Sequence, residues 1–319
     1  MTEYAVEIDS LVKMFGDNRA VDGVTLRVPK GSIYGVLGPN GAGKTTTINI
    51  LATLLKPDGG SAKVFGHDVR KEAHTVRRMI GVTGQYASVD ESLSATENLI
   101  VFGMLLGLKR KKAAERAAEL LEEFGLTDAA NRPLSKFSGG MRRRLDIAAS
   151  LIVVPALMFL DEPTTGLDPR TRAQMWDTIR TLAAKGSTVM LTTQYLDEAD
   201  NLADRIAVID RGKVIAEGTP DELKSSVGSS TLILAMESRD QSARAREIAS
   251  DVLGVTPKIT DAGHIVAPIA GAGAVTDLLI RFREAGLGVQ TITIKKPTLD
   301  EVFMAITGKT SEDAAEGEP

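Results

Sequence analysis

The sequence predicts an α/β fold. It has a mostly parallel sheet covered by helices, an antiparallel β section, an inserted helical subdomain and a small C-terminal α+β domain. Three observations predict it. A glycine-rich loop, Gly38 to Thr45, sits between an apolar strand-like run and a helix-like one. From Leu157 onward short apolar runs alternate with helical patterns, as when parallel strands are joined by crossover helices. Beyond residue 230 the runs change order to β-α-β-β-α-β.

The elements follow in turn. Ala5–Ile8, Val24–Val28 and Ile33–Leu37 are short apolar or alternating runs separated by Gly16-Asp17-Asn18 and Pro29-Lys30-Gly31, hence strands and turns. Thr45 to Leu55 places Ile48, Leu51, Leu54 and Leu55 at helical spacing. A turn at Lys56–Gly60 precedes a strand from Ile80 that ends at Gln85. Ser94-Ala95-Thr96-Glu97 matches a capping box and starts a helix through Leu106; an amphipathic helix at Lys111–Phe124 follows. Ser138-Gly139-Gly140 opens a third helix, Met141 to Val153, so that 94–153 forms the helical subdomain.

Strands at 157–160, 188–191 and 207–209 alternate with a helix at 170–185. Thr219-Pro220-Asp221-Glu222, a cap with proline at the first helical position, closes the first domain, expected at 4–227. Val227–Ser230 reads as a linker. The second domain, 231–307, has strands at 231–236, 255–260, 264–267 and 289–295 and helices at 241–253, 274–285 and 299–306, a ferredoxin-like order. Thr310–Pro319 is acidic without large apolar residues and is expected to be disordered.

Composition narrows the function. The 319 residues are 43% hydrophobic, ordinary for a globular chain, and carry a net charge of −4, so no global positive field points to nucleic acid or anionic lipid. Lys109–Lys112 reads as a solvated loop and helix start. Cysteine is absent, which removes disulfides and thiolate metal sites, and His67, His74 and His264 show no ligand spacing. The start reads as no signal peptide. The most apolar stretch, Ile147–Leu160, is too short for a membrane span and is broken by Pro155.

Two motifs carry chemistry. Gly38-Pro39-Asn40-Gly41-Ala42-Gly43-Lys44-Thr45, followed by Thr46, matches the phosphate-loop pattern at every fixed position. Its glycines permit a turn in which backbone N–H groups point at a polyphosphate, Lys44 adds a point charge on the β and γ phosphates, and the Thr45 hydroxyl takes one position on Mg²⁺. Leu157–Leu160 then ends in Asp161-Glu162, where one carboxylate suits Mg²⁺ and the next suits polarising a water for attack on the γ phosphate.

With Phe137-Ser138-Gly139-Gly140-Met141 added, residues 4–225 resemble the P-loop nucleotide-binding cassettes of ABC transporters. The segments Val82–Tyr86, Ser138–Arg144, Thr192–Asp200 and Leu299–Phe303 are similar to the daunorubicin/doxorubicin-resistance subfamily. The resemblance implies that ATP is bound with Mg²⁺ and hydrolysed. Phe15 would stack on adenine with Val21 near it, and Gln85 would touch Mg²⁺ and the attacking water. Glu162 would be the catalytic glutamate, and Asp168 the aspartate that communicates between paired sites. Ser138, Gly139, Gly140 and Met141 would form the signature loop that meets ATP on the partner subunit. Two positions depart from the general pattern: Met141 stands in place of glutamine, and Gln194 in place of the histidine that contacts the γ phosphate. A glutamine amide can donate a hydrogen bond there but cannot carry charge.

The resemblance further implies a homodimer and a separate integral membrane permease docked between the Gln85 loop and the 94–124 helices. The chain would act peripherally at the cytoplasmic face of the membrane. Export of a hydrophobic drug or antibiotic is the leading expectation. Export of a lipid, polysaccharide or other metabolite is the alternative, and a soluble nucleotide-dependent drug-binding protein a further one. A soluble ABC ATPase acting on ribosomes or DNA commonly has paired cassettes or a coiled-coil insertion, and neither is read here. Arg142-Arg143-Arg144 could reach phosphate or a partner, or form a solvated helix face. The second domain could regulate or strengthen dimerisation, or serve only as a packing appendage.

Overall fold

A computed structural model describes residues 3–83, 89–269 and 271–308. Strands β1 (Tyr4–Phe15), β2 (Asn18–Pro29) and β3 (Ile33–Leu37) lead into the phosphate loop and helix α1 (Lys44–Leu51). Then come β4 (Gly59–Val64), β5 (His67–Asp68), α2 (Ala73–Arg77) and β6 (Ile80–Thr83). The helical subdomain holds α3 (Ala95–Leu105), α4 (Arg110–Glu123) and α5 (Gly139–Ser150). The chain returns through β7 (Leu157–Asp161), α6 (Pro169–Ala184), β8 (Thr188–Thr193), α7 (Leu196–Leu202), β9 (Arg205–Asp210), β10 (Lys213–Gly218) and α8 (Pro220–Val227). The last part is β11 (Ser230–Met236), α9 (Ser242–Leu253), β12 (Lys258–Ile259), β13 (Ile265–Ile269), α10 (Ala272–Glu284), β14 (Val289–Lys295) and α11 (Leu299–Thr307).

The central sheet runs β10-β9-β3-β8-β7-β6, parallel except for β10 at its edge. β3, β7 and β8 are buried along their whole length, as expected of strands covered on both faces. Alternation in β7 serves two cores. Met158 and Leu160 pack with Leu99, Leu120 and Leu145 of the helical subdomain. Leu157 and Phe159 pack with Ile48 and Ile50 of α1 and with Val6 and Leu26 of the antiparallel sheet β2-β1-β4-β5. β3, β7 and β8 therefore end together, and the residues after Leu37, Leu160 and Thr193 gather at one sheet edge. Ligands of open α/β sheets bind at such carboxyl ends.

Differences from the sequence reading have local causes. α1 stops at Leu51, not Leu55, because Thr53 takes a left-handed φ of 64° and the amides of Leu54 and Leu55 both turn back to Asn49 O. β10 was not expected; Arg211-Gly212, with φ of 46° and 77°, folds it against β9 as a hairpin. The Ser94 cap is as read: its hydroxyl accepts from Glu97 N, and Glu97 reaches back to Ser94 N at 2.8 Å.

Two compact units divide between Pro220 and Asp221, so that α8, expected to close the first domain, falls almost wholly in the second. In the second unit β11 lies between β13 and β14 and the sheet order is β12-β13-β11-β14, all antiparallel. Leu232, Leu234, Ala249, Leu278 and Phe282 form its core. Gln85 and the acidic tail from Thr310 lie outside the described residues.

Candidate functional site

Two glycines of the phosphate loop leave no room for a side chain. A Cβ at Gly38 would collide with the Ile209 carbonyl oxygen, and one at Gly43, where φ is 101°, with that of Ala20. Lys44, 4% exposed, donates to Gly38 O at 2.7 Å and Pro39 O at 3.0 Å. Its Nζ stands 3.6 Å from Glu162 Oε1, an ion-pair distance. Burial pushes the Lys44 ammonium below the usual lysine range, and the Glu162 and Asp161 carboxylates oppose that.

The end of β7 faces it. Asp161 Oδ1 accepts from Thr45 Oγ1 at 3.0 Å and from Thr192 Oγ1 at 2.5 Å. Glu162 follows with φ of 47°, a region that costs a residue with a Cβ about 1–2 kcal/mol. Its N–H donates to Thr192 O at 3.2 Å and Thr192 Oγ1 at 3.1 Å, and Thr165 Oγ1 donates to Glu162 Oε2 at 3.2 Å. The bent backbone sends the carboxylate toward Lys44.

Phe15, Asn18, Ala20, residues 40–46 and Glu162 line a cavity of about 480 Å³. Phe15 is 49% exposed, an aromatic face on the rim, with Lys13 Nζ 5.5 Å from its ring centroid. Asn40, Gly41, Ala42, Gly43, Lys44, Thr45 and Thr46 are thus brought together with Phe15 and Glu162. Gly38 and Pro39 supply the carbonyls under Lys44. Val21 is fully buried among Val6, Val24 and Ile48, whereas Ala20, its neighbour on the opposite face of β2, lines the cavity.

Gln194, just past β8, is half-buried, and its Oε1 is buried with no hydrogen-bond partner among the described residues. Ser138 is exposed and caps α5, accepting from Met141 N at 3.3 Å. Ser138, Gly139, Gly140 and Met141 do not line the cavity of their own chain. Asp168 caps α6, accepting from Thr171 Oγ1 at 2.6 Å, Thr171 N at 3.0 Å and Arg170 N at 3.1 Å. The Thr171 hydroxyl and these amides hold its carboxyl below the usual range.

Sequence reasoning missed two contributors, Thr192 and Arg143. Thr192 bridges Asp161 and Glu162; a hydroxyl one residue from the end of the buried strand β8 was the available signal. Arg143 donates to backbone carbonyls next to Glu162. Arg142 pairs with Glu91 at 2.5 Å and Arg144 donates to Phe124 O at 2.9 Å, so the triple arginine reaches groups of its own cassette. Glu198 of α7 is fully buried with Trp176 Nε1 3.3 Å from its Oε1, and burial pushes its carboxyl up.

Thr45 and Asp161 offer hard oxygens, and no cluster of three His, Cys, Asp or Glu side chains occurs among the described residues. That donor set fits Mg²⁺, which takes one or two protein oxygens and fills its octahedron with phosphate and water.

The family model "ABC transporter" matches residues 21–165, and the model "ATP-binding protein DrrA1-3-like, C-terminal domain" matches 218–307. The chain is 56% identical over 320 residues to the daunorubicin/doxorubicin resistance ATP-binding protein DrrA of Streptomyces peucetius, covering 98% of this chain and 97% of the relative. It is 44% identical to the doxorubicin resistance ATP-binding protein DrrA of Mycobacterium tuberculosis, over 97% and 96%. Among solved structures, the dimeric post-hydrolysis state of the cassette MJ0796 bound to ADP and Pi superposes with a TM-score of 0.62 at 27% identity, over 67% of this chain and 98% of that one. A phosphate loop, an acidic strand end and a capped serine-glycine helix start now stand in one fold shared with these proteins. The chain accordingly belongs to the ATP-binding proteins of ABC transporters, and it binds and hydrolyses ATP.

Proposed function

We propose that this chain powers efflux of a hydrophobic drug or antibiotic through a separate membrane permease, by hydrolysing ATP at the Lys44–Asp161–Glu162 cluster. Adenine stacks on Phe15, and the backbone amides of residues 40–45 receive the phosphates with Lys44. Thr45 and Asp161 would hold Mg²⁺, which when bound neutralises charge developing on the phosphate oxygens. Glu162 accepts a proton from the attacking water as general base. The Gln194 amide donates to the γ phosphate, and Gln85 takes its expected part beside the water.

The second half of the site comes from another copy. Ser138–Met141 lie at an exposed helix N-terminus away from their own cavity, which supports a homodimer in which each signature meets the partner's ATP, with Asp168 between the two sites. Among the described residues no helix is long and apolar enough to cross a membrane. Val101, Met104, Leu105 and Leu106 at the end of α3 are 44–77% exposed, a surface that suits a permease at the cytoplasmic face.

The observation that carries the cargo reading is likeness to drug-resistance relatives along the whole chain, second domain included. The test is drug accumulation in inverted vesicles holding this chain and its permease. Uptake of doxorubicin that needs ATP and stops with Glu162→Gln is expected. Vesicles that hydrolyse ATP yet accumulate none of a panel of hydrophobic drugs would contradict it.

A further inference from the structure

Arg143 opens the second turn of α5, five residues after the Ser138 cap, and it turns inward with a side chain only 13% exposed. Its Nη2 donates to Asp161 O at 2.9 Å and to Glu162 O at 3.3 Å, and its Nε to Pro163 O at 3.2 Å. One guanidinium thus serves three successive carbonyls, of the last residue of β7 and the two that follow it. Asp146, buried one turn along α5 with Oδ2 3.9 Å away, balances the charge.

These carbonyls belong to the backbone that most needs holding. Glu162 is in a left-handed conformation that L residues seldom adopt. Its N–H is fixed by Thr192, and its C=O is fixed by Arg143. A planar fork with several donors can serve diverging acceptors, whereas an ammonium is a single point and an amide offers two donors at most.

We propose that Arg143 is a positioning residue for hydrolysis: it clamps the Asp161–Pro163 backbone so that the Glu162 carboxylate stays aimed at the phosphate loop, and it ties that carboxylate to the signature helix. A helix moves as a unit, so a displacement at Ser138 when it meets the partner's ATP reappears at the guanidinium. Signature engagement in one copy then sets the general base of that same copy. This rests on the reading of Glu162 as general base.

The test uses the purified full chain and compares wild type, Arg143→Gln, Arg143→Lys, Asp146→Asn and Glu162→Gln. It reads kcat and KM for ATP, the Kd for Mg-ATP, and melting temperature. Arg143→Gln is expected to lower kcat about tenfold to a hundredfold, the effect of a misplacement near 1 Å. Its Kd for ATP is expected to stay within about twofold. Arg143→Lys recovers part of the loss, and Asp146→Asn shows a smaller loss confined to kcat. A merely structural role would instead lower binding and melting temperature together, with lysine no better than glutamine; that pattern overturns the proposal, as does an unchanged kcat in Arg143→Gln. Should Arg143→Gln not fold, the lysine and Asp146→Asn variants decide, and unchanged kcat in both overturns it. An active Glu162→Gln would remove the general-base reading itself, whereas an inactive one beside a normal Arg143→Gln removes the clamp alone.

Discussion

The two domains bury different things. In the first, Lys44, Asp146, Asp161 and Glu198 are charged groups taken almost wholly out of water. In the second, among the described residues, the buried polar side chain is Ser242, whose hydroxyl donates to Gly263 O at 2.9 Å, in a core of Leu234, Leu278 and Phe282. Strain follows the same division: Ser10, Thr53, Phe65, Glu162 and Arg211, the described non-glycine residues with positive φ, all precede residue 221. Buried charge and left-handed backbone cost stability, so they persist where something else requires them. In the first domain buried charge and left-handed backbone coincide at the nucleotide cluster, where Lys44, Asp161 and Glu162 meet; the second keeps one sheet and its helices with little beyond packing to preserve.

That contrast can be broken in order of effect. Glu162→Gln is expected to lower kcat by about 10²–10⁴-fold while ATP binding survives, measured by steady-state turnover and equilibrium binding. If binding fell equally, the carboxylate would be holding the loop together and the first domain would resemble the second. Phe282→Ala is expected to cost the second domain about 3–5 kcal/mol in denaturant unfolding. Turnover per folded chain is expected to stay at the wild-type level, and a matching loss would place chemistry where the contrast puts none.

Smaller effects sharpen it. Lys44→Ala removes charge-assisted hydrogen bonds worth about 1.5–3 kcal/mol, so ATP affinity is expected to fall about tenfold to a hundredfold in titration. Burial raises the Glu198 carboxyl above its ordinary 4.5, so folding favours the protonated form. The stability this gives is fully present below 4.5 and is lost as pH rises through the folded value. Glu198→Gln keeps an oxygen for Trp176 and is expected to raise the melting temperature more at about pH 8 than at about pH 4. Gln194→His is expected to retain ATPase activity, since an imidazole N–H keeps a donor toward the γ phosphate. Complete loss would give Gln194 a different role.

Much of this was legible in the sequence where physics is local. The Ser94–Glu97 cap, the run Ile33–Leu37 and the loop at 38–45 each declare themselves within a few residues. Strands β11, β13 and β14 of the second domain were legible as short runs of aliphatic and β-branched residues, whereas β12 is only Lys258–Ile259 where 255–260 was expected. Illegible were contacts made across the fold: Arg143 lies 18 residues from Asp161, whose carbonyl it bonds, and Thr192 lies 31 residues from Asp161, whose carboxylate it bonds. Spacing along α5 marks Arg143 as neighbour to buried Leu145 and Asp146 but cannot say what its donors meet. Val21 and Ala20 differ by one residue, and in a strand one residue decides between core and cavity.

The central claim is that each ATP is gripped by the phosphate loop of one copy and the serine-glycine helix start of another. Mixing tests it most directly, using Lys44→Ala chains with Ser138→Arg chains at limiting ATP, where each alone turns over little. A mixed pair rebuilds one intact site from the Lys44 of one chain and the Ser138 of the other, so the account predicts that ATP hydrolysis returns on mixing. A mixture as inactive as its two components would contradict it.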